Sequence, residues 1–264
     1  MEKLFLQIDN NVNIAYRWVE PTELKDNTVL VFLHEALGSI LQWRRFPQLL
    51  CDSLGLKGLI YERQGYGDSS PLMKERDSHY LEEYAVDEMP QVIERLLPKT
   101  KVMLVGHSDG GSIALMYASK FPENVASVVT MAAHVIVEPE TTQGIYLAIE
   151  AFQAGKLDGL KKYHGDKTAA IFNAWSQTWL SAAYQQWTIC SKIHQTLPSL
   201  ILQGEKDEYG TKKQLELILE KLPNATTYLI PDVHHQPHLE QPEIVVGLIE
   251  DWVIKRSSSH LNYI

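Results

Sequence analysis

The chain has 264 residues, of which 45% are hydrophobic and 22% are charged, as in an ordinary globular protein. Its formal net charge of -9 and its lack of a lysine- and arginine-rich run argue against nucleic acid as a partner. Its apolar runs are too short to span a membrane, its N-terminus lacks an apolar signal segment, and its only cysteines are Cys51 and Cys190, so we expect a cytoplasmic protein without disulfides.

Strand-like and helix-like segments alternate along most of the chain. Residues 3–8 and 13–19 predict an antiparallel hairpin, and the continuously apolar residues 28–33 predict an interior parallel strand. Further strands are predicted at residues 58–61, from residue 101, and at residues 125–133, 198–203 and 226–230. Helices are predicted at residues 43–54, 81–97, 112–120, 212–221 and 242–255. This alternation predicts an α/β fold with a mostly parallel, doubly wound sheet.

One segment, residues 138–195, interrupts the alternation late in the sheet. It is helical in pattern, rich in aromatic residues, and without a convincing strand. We therefore predict an α/β core of residues 1–137 and 196–264, and a helical cap of residues 138–195 over the ends of the strands, where open α/β sheets bind ligands. Trp175 and Trp179 are candidate substrate-binding residues of this cap, although such aromatic residues more often pack in a core.

The pattern most specific for chemistry begins at residue 101. An apolar strand runs into Gly106-His107-Ser108-Asp109-Gly110, a Gly-x-Ser-x-Gly motif, and then directly into an alanine-rich helix. A serine at such a corner adopts a strained backbone, which flanking glycines permit and which exposes its hydroxyl group. The helix also directs unpaired N–H groups at an oxyanion formed beside the serine. We predict that Ser108 is a nucleophile and that His107 packs in the core.

A serine hydroxyl group is a weak nucleophile until a base takes its proton, and a third group usually orients that base. Asp207 and His235 each follow a buried strand, so both are expected at the carboxyl-terminal edge of the sheet. Alternatives remain open for both roles. Asp232 or Glu205 could replace the acid, and His234 could replace the base.

Five segments in order resemble the α/β-hydrolase fold superfamily, and the resemblance covers nearly all of the chain. These segments are the His34-Glu35-Ala36-Leu37-Gly38 oxyanion loop, residues 63–69 (Arg-x-x-Gly-x-Gly-x-Ser), the elbow at residues 106–110, the acid turn at residues 204–207, and the histidine loop at residues 235–242. The resemblance implies Ser108 as the nucleophile, His235 as the base and Asp207 as the acid that orients it. It also implies an oxyanion hole formed by the backbone N–H groups of Ala36 and Asp109.

Two positions depart from the family pattern. Glu35 stands where glycine is usual, and His234 stands where glycine often precedes the catalytic histidine. Glu35 and Asp109 could therefore flank the acyl site as two carboxylates, in which case Glu35 contacts substrate and anionic substrates are disfavoured. The alternative is that Asp109 only favours the N-terminus of its helix, by ~0.3 to 1 kcal/mol.

His234, His235 and His238 could also suggest a metal site, but they lack the spacing and the converging ligands of zinc sites. We therefore expect no metal ion and assign His238 a structural role, hydrogen-bonded inside its loop. No other cofactor is implied.

Together these features predict a serine hydrolase that acts on a small-molecule acyl substrate through an acyl-enzyme. The resemblance associates dehalogenases and epoxide hydrolases with aspartate at the elbow, so Ser108 argues against those branches. Carboxylic esters of modest size are favoured because a helical cap encloses the pocket. Hydrolysis of carbon-carbon bonds in diketone-like metabolites, and a ligand sensor that retains the triad, remain alternatives. The sequence does not indicate the oligomeric state.

Overall fold

The computed structural model describes residues 3–9, 11–194 and 196–261, with side chains described up to residue 256. Eight strands form one sheet. The strands are β1 (Leu4–Asp9), β2 (Val12–Val19), β3 (Val29–Leu33), β4 (Lys57–Tyr61), β5 (Val102–His107), β6 (Val125–Met131), β7 (Ser199–Gly204) and β8 (Thr226–Ile230). The predicted limits of the domains at residues 1, 195 and 264 lie outside the described residues.

Helices follow most of the strands. They are α1 (Phe46–Leu54), α2 (Tyr80–Glu83), α3 (Met89–Leu96), α4 (Asp109–Lys120), α5 (Pro139–Gln153), α6 (Lys161–His164), α7 (Thr168–Leu180), α8 (Lys213–Lys221), α9 (Pro237–Glu240) and α10 (Pro242–Leu261). Within the described residues, no helix combines the length and the apolar character needed to span a bilayer.

The sheet has the order β1-β2-β4-β3-β5-β6-β7-β8. The pairs β1–β2 and β2–β4 are antiparallel, and every other neighbouring pair is parallel. This order confirms the predicted doubly wound, mostly parallel sheet with an antiparallel ribbon at one edge. Strand β3 shows why its sequence is continuously apolar: Leu30 and Phe32 pack on the side of α1 and α10, whereas Val31 and Leu33 pack on the side of α3, α4 and α8.

The predicted helix at residues 81–97 is divided in the structure. A π-helical turn at Tyr84–Glu88 separates α2 from α3. Pro90 lies in the first turn of α3, and a proline there cannot donate the hydrogen bond that a continuous α-helix would need. The wider turn accommodates this missing donor. It also places Glu88 and Tyr84 inside the protein.

The longest connection between strands runs from β6 to β7 and contains α5, α6 and α7. We call residues 138–194 the inserted segment. An isolated antiparallel bridge pairs Ile136 with Thr188 at its base.

The loops that leave β3, β5, β7 and β8 lie at one edge of the sheet, because these strands are parallel. They carry Glu35, Ser108, Asp207 and His235, respectively. The fold thus gathers at one edge four residues that are far apart in the sequence.

Candidate active site

Ser108 occupies a strained corner between β5 and α4. Its backbone has φ 51° and ψ -118°, a conformation that residues other than glycine rarely adopt. The adjacent glycines are required by close packing: a Cβ atom on Gly106 would lie 2.3 Å from the carbonyl oxygen of Gly110. A Cβ atom on Gly110 would lie 1.9 Å from the carbonyl oxygen of Leu33. The glycine spacing therefore allows the strand, the helix and the oxyanion loop to approach each other.

The structure brings together the three residues that the sequence proposed as nucleophile, base and acid. The Nε2 atom of His235 lies 2.9 Å from the Oγ atom of Ser108. On the other side of the ring, Nδ1 lies 2.8 Å from Oδ1 of Asp207. This arrangement allows the imidazole to accept the hydroxyl proton at Nε2 while Nδ1–H donates to the carboxylate.

The Asp207 carboxylate is held in place by two further donors. The side-chain amide of Gln203 donates to Oδ2 at 2.6 Å, and the backbone N–H of Tyr209 donates to Oδ1 at 2.9 Å. Burial raises the pKa of Asp207, but its interaction with His235 lowers it more, so the net pKa lies below its usual value. Asp207 is therefore ionised at neutral pH.

The same pairing acts on His235 in the opposite direction. Burial lowers the pKa of His235, but the Asp207 carboxylate and its hydrogen bond raise it more. The carboxylates of Glu208 and Glu35 contribute in the same direction, and the net pKa lies above its usual value. An imidazolium ion at this position is thus stabilised, as general-base chemistry requires.

The alternative partners lie elsewhere. The His234 side chain is 56% exposed and its Nδ1 atom lies 3.0 Å from Oε2 of Glu240. Asp232 is exposed and forms an ion pair with Lys206 at 2.6 Å. Glu205 is exposed, so none of these three side chains is placed to act on Ser108.

Two backbone amides are available beside Ser108. Ala36 and Asp109 both line the cavity that contains Ser108. Among the described residues, neither amide donates to an acceptor in the protein. Asp109 is the first residue of α4, where the N–H groups have no partner within the helix. These two amides are therefore free to bind an oxyanion.

Arg63 fixes the loop that carries Ala36. Its guanidinium group is fully buried and donates to the carbonyl oxygens of His34 and Glu35. The His34 ring adds a second link, because it accepts a hydrogen bond from the backbone N–H of Arg63 at 3.2 Å. With these carbonyl groups engaged, the orientation of the following peptide at Ala36 is determined by the core of the protein.

Glu35 occupies the position where the family usually has glycine, and it contacts a second buried histidine. Its Oε2 atom lies 3.5 Å from Nδ1 of His107. The Nε2 atom of His107 lies 2.7 Å from the carbonyl oxygen of His235 and must donate to it, since a carbonyl group only accepts. His107 is completely buried, as predicted, but it also connects the oxyanion loop with the histidine loop.

Asp109 is the end of a chain of hydrogen bonds. The indole N–H of Trp179 donates to the Tyr80 hydroxyl oxygen at 2.7 Å. Because an indole can only donate, the Tyr80 hydroxyl proton points to Oδ2 of Asp109, also at 2.7 Å. Asp109 is 1% exposed, and among the described residues its Oδ1 atom has no hydrogen-bond partner.

The cavity beside Ser108 has a volume of about 210 Å³. Its wall includes Trp175 and Trp179 from α7, as well as Glu35 and Gln42 from the core. The apolar part of the wall comes mainly from the inserted segment. The apolar residues that this segment contributes are Ile145, Ala148, Leu157, Leu160, Trp175 and Trp179.

Two aromatic residues of the cavity wall that pack near His235 were not identified from the sequence. His134 is buried, with its ring centroid 5.7 Å from that of His235, and burial together with the charge of His235 lowers its pKa. The ring centroid of Tyr209 lies 4.8 Å from that of His235. Neither belongs to a recognised motif. The position of Tyr209, two residues after Asp207, was the only signal that could have indicated its place.

His238 does not form the hydrogen bond within its loop that was expected. Its Nδ1 atom has no partner among the described residues. Its ring packs instead on Trp43 and His107, with centroid distances of 4.7 Å and 4.6 Å. Within the same described part of the chain, no group of three or more potential ligands could hold a metal ion.

Comparisons with known proteins place this geometry in context. Residues 28–163 match a family model described as alpha/beta hydrolase fold. Serine hydrolase BPHL from Mus musculus is 24% identical over 202 residues, which cover 74% of this chain and 68% of that protein. Proline iminopeptidase from Lactobacillus delbrueckii subsp. bulgaricus is 25% identical over 277 residues, which cover 89% of this chain and 92% of that protein.

Solved structures share the same fold. The structure of a thermophilic esterase from Thermogutta terrifontis with bound malate superimposes with a TM-score of 0.72 and 18% identity. The superposition covers 97% of this chain and 99% of the esterase chain. At this level of identity the similarity concerns the fold alone.

Proposed function

Because the chain belongs to the α/β-hydrolase fold family, we propose that it is a serine hydrolase that cleaves small carboxylic esters through an acyl-enzyme intermediate. The observation that carries this proposal is the pair of hydrogen bonds at His235, 2.9 Å to Ser108 and 2.8 Å to Asp207. The hydrolase activities of the relatives named above are consistent with it.

In the first half of the reaction, Oγ of Ser108 attacks the ester carbonyl carbon while Nε2 of His235 takes its proton. The negative charge moves to the carbonyl oxygen, which accepts hydrogen bonds from the amides of Ala36 and Asp109. The ester bond to the alcohol then breaks, and the imidazolium donates its proton to the leaving oxygen. The acyl group remains on Ser108.

In the second half, a water molecule attacks the acyl carbon and His235 takes a proton from it. Collapse of the second tetrahedral intermediate releases the carboxylic acid and returns the proton to Ser108. Throughout both halves Asp207 stays ionised and stabilises the imidazolium. No external cofactor is needed for this sequence of steps.

The volume of the cavity favours a small substrate. Its volume of about 210 Å³ lies below the ~300 to 1,000 Å³ typical of sites for drug-sized ligands. We infer that the inserted segment acts as a helical cap, because its side chains form most of the apolar wall. Such a wall suits a short acyl or alkyl group rather than a lipid chain.

The proposal is tested with a substrate panel. Short p-nitrophenyl esters, a thioester, a prolyl amide and a diketone are assayed with wild type and Ser108→Ala. We expect multiple turnovers on the short esters by wild type and a loss of at least about 10⁴-fold in Ser108→Ala. A single slow turnover, or turnover that survives in Ser108→Ala, would contradict an acyl-enzyme esterase. Preference for the diketone would favour carbon-carbon bond hydrolysis instead.

A further inference from the structure

Charge is unevenly distributed over the wall of the cavity beside Ser108. Two acidic residues, Glu35 and Asp109, belong to the wall, and both lie next to the proposed oxyanion hole. No lysine or arginine lines this cavity within the described part of the chain. The cavity therefore has acidic side chains at its reactive end and no lysine or arginine among its described lining residues.

Glu35 is the acidic group that a substrate can reach. Its side chain is 17% exposed and lines the cavity. Burial raises the pKa of Glu35, but the His107 imidazole, whose Nδ1 atom lies 3.5 Å from Oε2, lowers it more, with a smaller contribution from Arg63. The net pKa is below its usual value, so Glu35 is a carboxylate at neutral pH.

Asp109 is a buried acidic residue whose carboxylate is only partly hydrogen-bonded. It is 1% exposed, and Tyr80 donates to its Oδ2 atom. Its Oδ1 atom is buried without a hydrogen-bond partner among the described residues. A buried carboxylate oxygen without a partner is costly, and a nearby positive group on a ligand would reduce that cost.

Two basic side chains behind the wall offset part of this negative charge, since His107 lies 3.5 Å from Glu35 and Arg63 contributes to the lowered pKa of Glu35. Arg63 is buried, but its Nη atoms donate to backbone carbonyl groups and its guanidinium lies over the rings of Tyr66 and Tyr84. The Asp207 carboxylate is already paired with His235. A substrate with a positive charge would thus enter a region that has spare negative charge.

We propose that the cavity selects esters that carry a protonated amine one or two bonds from the scissile carbonyl group, with Glu35 as the group that contacts the ammonium. This inference rests on the proposed esterase function and names its substrate class. The ammonium binds at the polar end, next to Glu35 and Asp109, and the alkyl part lies against the apolar side chains of the inserted segment. The amine takes no part in bond cleavage and remains protonated.

The test uses three methyl esters of nearly equal size. Glycine methyl ester is cationic, methyl propionate is its neutral isostere, and monomethyl malonate is anionic. Hydrolysis is followed by pH-stat at about pH 7, where much of an α-amino group is protonated. Each kcat/KM is divided by the rate constant of the same ester with hydroxide, because the ammonium group activates its own ester.

For wild type we expect the corrected kcat/KM to be at least about tenfold higher for the cationic ester than for the neutral one, and lowest for the anionic ester. In Glu35→Gln this preference should fall close to one while methyl propionate is still hydrolysed. Glu216→Gln, which removes an exposed acidic side chain on α8, is the matched control and should keep the wild-type preference.

Two results would overturn the inference in different ways. Hydrolysis of methyl propionate without a preference for the cationic ester leaves the esterase intact and rejects the amine site. Failure of wild type to hydrolyse any of the three esters rejects the proposed function itself.

A second measurement on wild type does not depend on the folding of a variant. Glycinamide should inhibit the hydrolysis of methyl propionate more strongly than propionamide does, since only glycinamide carries the ammonium group. Equal inhibition by the two amides would count against the amine site.

Discussion

Four side chains from three segments of the chain surround the imidazole of His235. Nε2 faces Ser108, Nδ1 faces Asp207, and the rings of His107 and His134 pack nearby. Burial lowers the pKa of this ring, and the Asp207 carboxylate is the main group that raises it. Asp207 should therefore influence both the rate and the pH dependence of the reaction.

Replacing Asp207 by asparagine should lower kcat/KM by about 10⁴-fold, the size of effect seen when a triad acid is neutralised. General-base activity requires a neutral His235, so wild-type kcat/KM should fall as the pH drops through the His235 pKa, which lies above 6.5. In Asp207→Asn the residual activity should fall at a lower pH, because burial still lowers this pKa and the raising carboxylate is absent. A pH profile of kcat/KM on a substrate turned over by wild type measures both effects.

The matched control is Asp232→Asn, which neutralises an exposed aspartate paired with Lys206. Its profile should match that of wild type. A profile that moves in Asp232→Asn but stays unchanged in Asp207→Asn would contradict the assignment of the acid.

The order of motifs in the sequence was sufficient to propose which residues converge at this site. It did not reveal the buried histidine contacts that hold the site's loops in place. Ser108, Asp207 and His235 each follow a predicted strand, and parallel strands end at one edge. The contact from His107 to the His235 carbonyl oxygen spans 128 positions and joins a side chain to the backbone, so it leaves no residue pattern. The same holds for His134, whose Nε2 atom contacts the carbonyl oxygen of Tyr209.

At the scale of secondary structure, the crossing of β3, β5 and α4 is the tightest point of the site. Gly110 is the residue at which α4 meets the end of β3. Helix α4 is buried along eleven of its twelve residues, so it cannot shift to make room. The site thus depends on the absence of a single side-chain carbon.

Gly110→Ala should destabilise the protein by about 2 to 5 kcal/mol, because its Cβ atom would lie 1.9 Å from the carbonyl oxygen of Leu33. Gly247→Ala in α10 is the control, since a Cβ atom there meets nothing within 4 Å. That change should stabilise the helix by about 0.5 to 1 kcal/mol. Chemical denaturation of both variants measures the free energies of unfolding. Equal stability of the two would show that the crossing can relax.

The π-helical turn before α3 carries a second testable feature. Burial raises the pKa of Glu88 to about 7. Its Oε2 atom accepts from the backbone N–H of Gln64, while Oε1 has no partner among the described residues. Since the usual value is 4.5, the folded protein holds a proton that the unfolded chain releases between these two pH values. The contribution of Glu88 to stability therefore falls as the pH rises through this window.

Glu88→Gln removes this titration. The free energy of unfolding of the variant, minus that of wild type, should increase from about pH 5 to about pH 8. The increase should be on the order of 2 kcal/mol. Free energies of unfolding at the two pH values give the difference. Glu94→Gln, at an exposed position on the adjoining helix α3, should show no such gain. A pH-independent difference between Glu88→Gln and wild type would show that Glu88 is ionised throughout.

The sequence predicted the position and type of most elements because the interior strands are continuously apolar and several helices carry apolar residues at helical intervals. It did not predict the π-helical turn, since residues 81–97 have an unbroken helical pattern apart from Pro90. It also placed the start of α4 at Ser112, whereas the helix begins at Asp109. Glycines within Gly-x-Ser-x-Gly have low helix propensity, so the helix there is imposed by tertiary packing.

At the scale of the whole molecule, the inserted segment and the core are joined through His164. The backbone N–H of Gly67 donates to its Nδ1 atom at 3.0 Å, and Nε2 donates to the carbonyl oxygen of Leu37 at 2.9 Å. Burial lowers the pKa of His164, which favours the neutral ring that these two bonds require. One side chain therefore connects the inserted segment to both the glycine-rich loop and the oxyanion loop.

His164→Phe retains an aromatic ring but removes both hydrogen bonds. We expect a loss of about 1 to 3 kcal/mol in stability and roughly a tenfold decrease in kcat, because the oxyanion loop loses one of its supports. Steady-state kinetics and denaturation test these values. Lys161→Ala, at an exposed position in the same short helix, should leave both unchanged. Wild-type kcat in His164→Phe would show that the loop is positioned by the core alone.

The backbone at Ser108 has a consequence for how such a protein responds to selection. Glycine adopts a φ of 51°, the value at Ser108, without a steric penalty. Ser108→Gly should therefore remove backbone strain and give a more stable protein that lacks the proposed nucleophile. Screening a mutant library for thermal stability alone would then enrich the inactive Ser108→Gly variant. Under the proposed function, residue 108 thus sets catalytic activity against conformational stability. Only a screen that measures product formation would keep the serine.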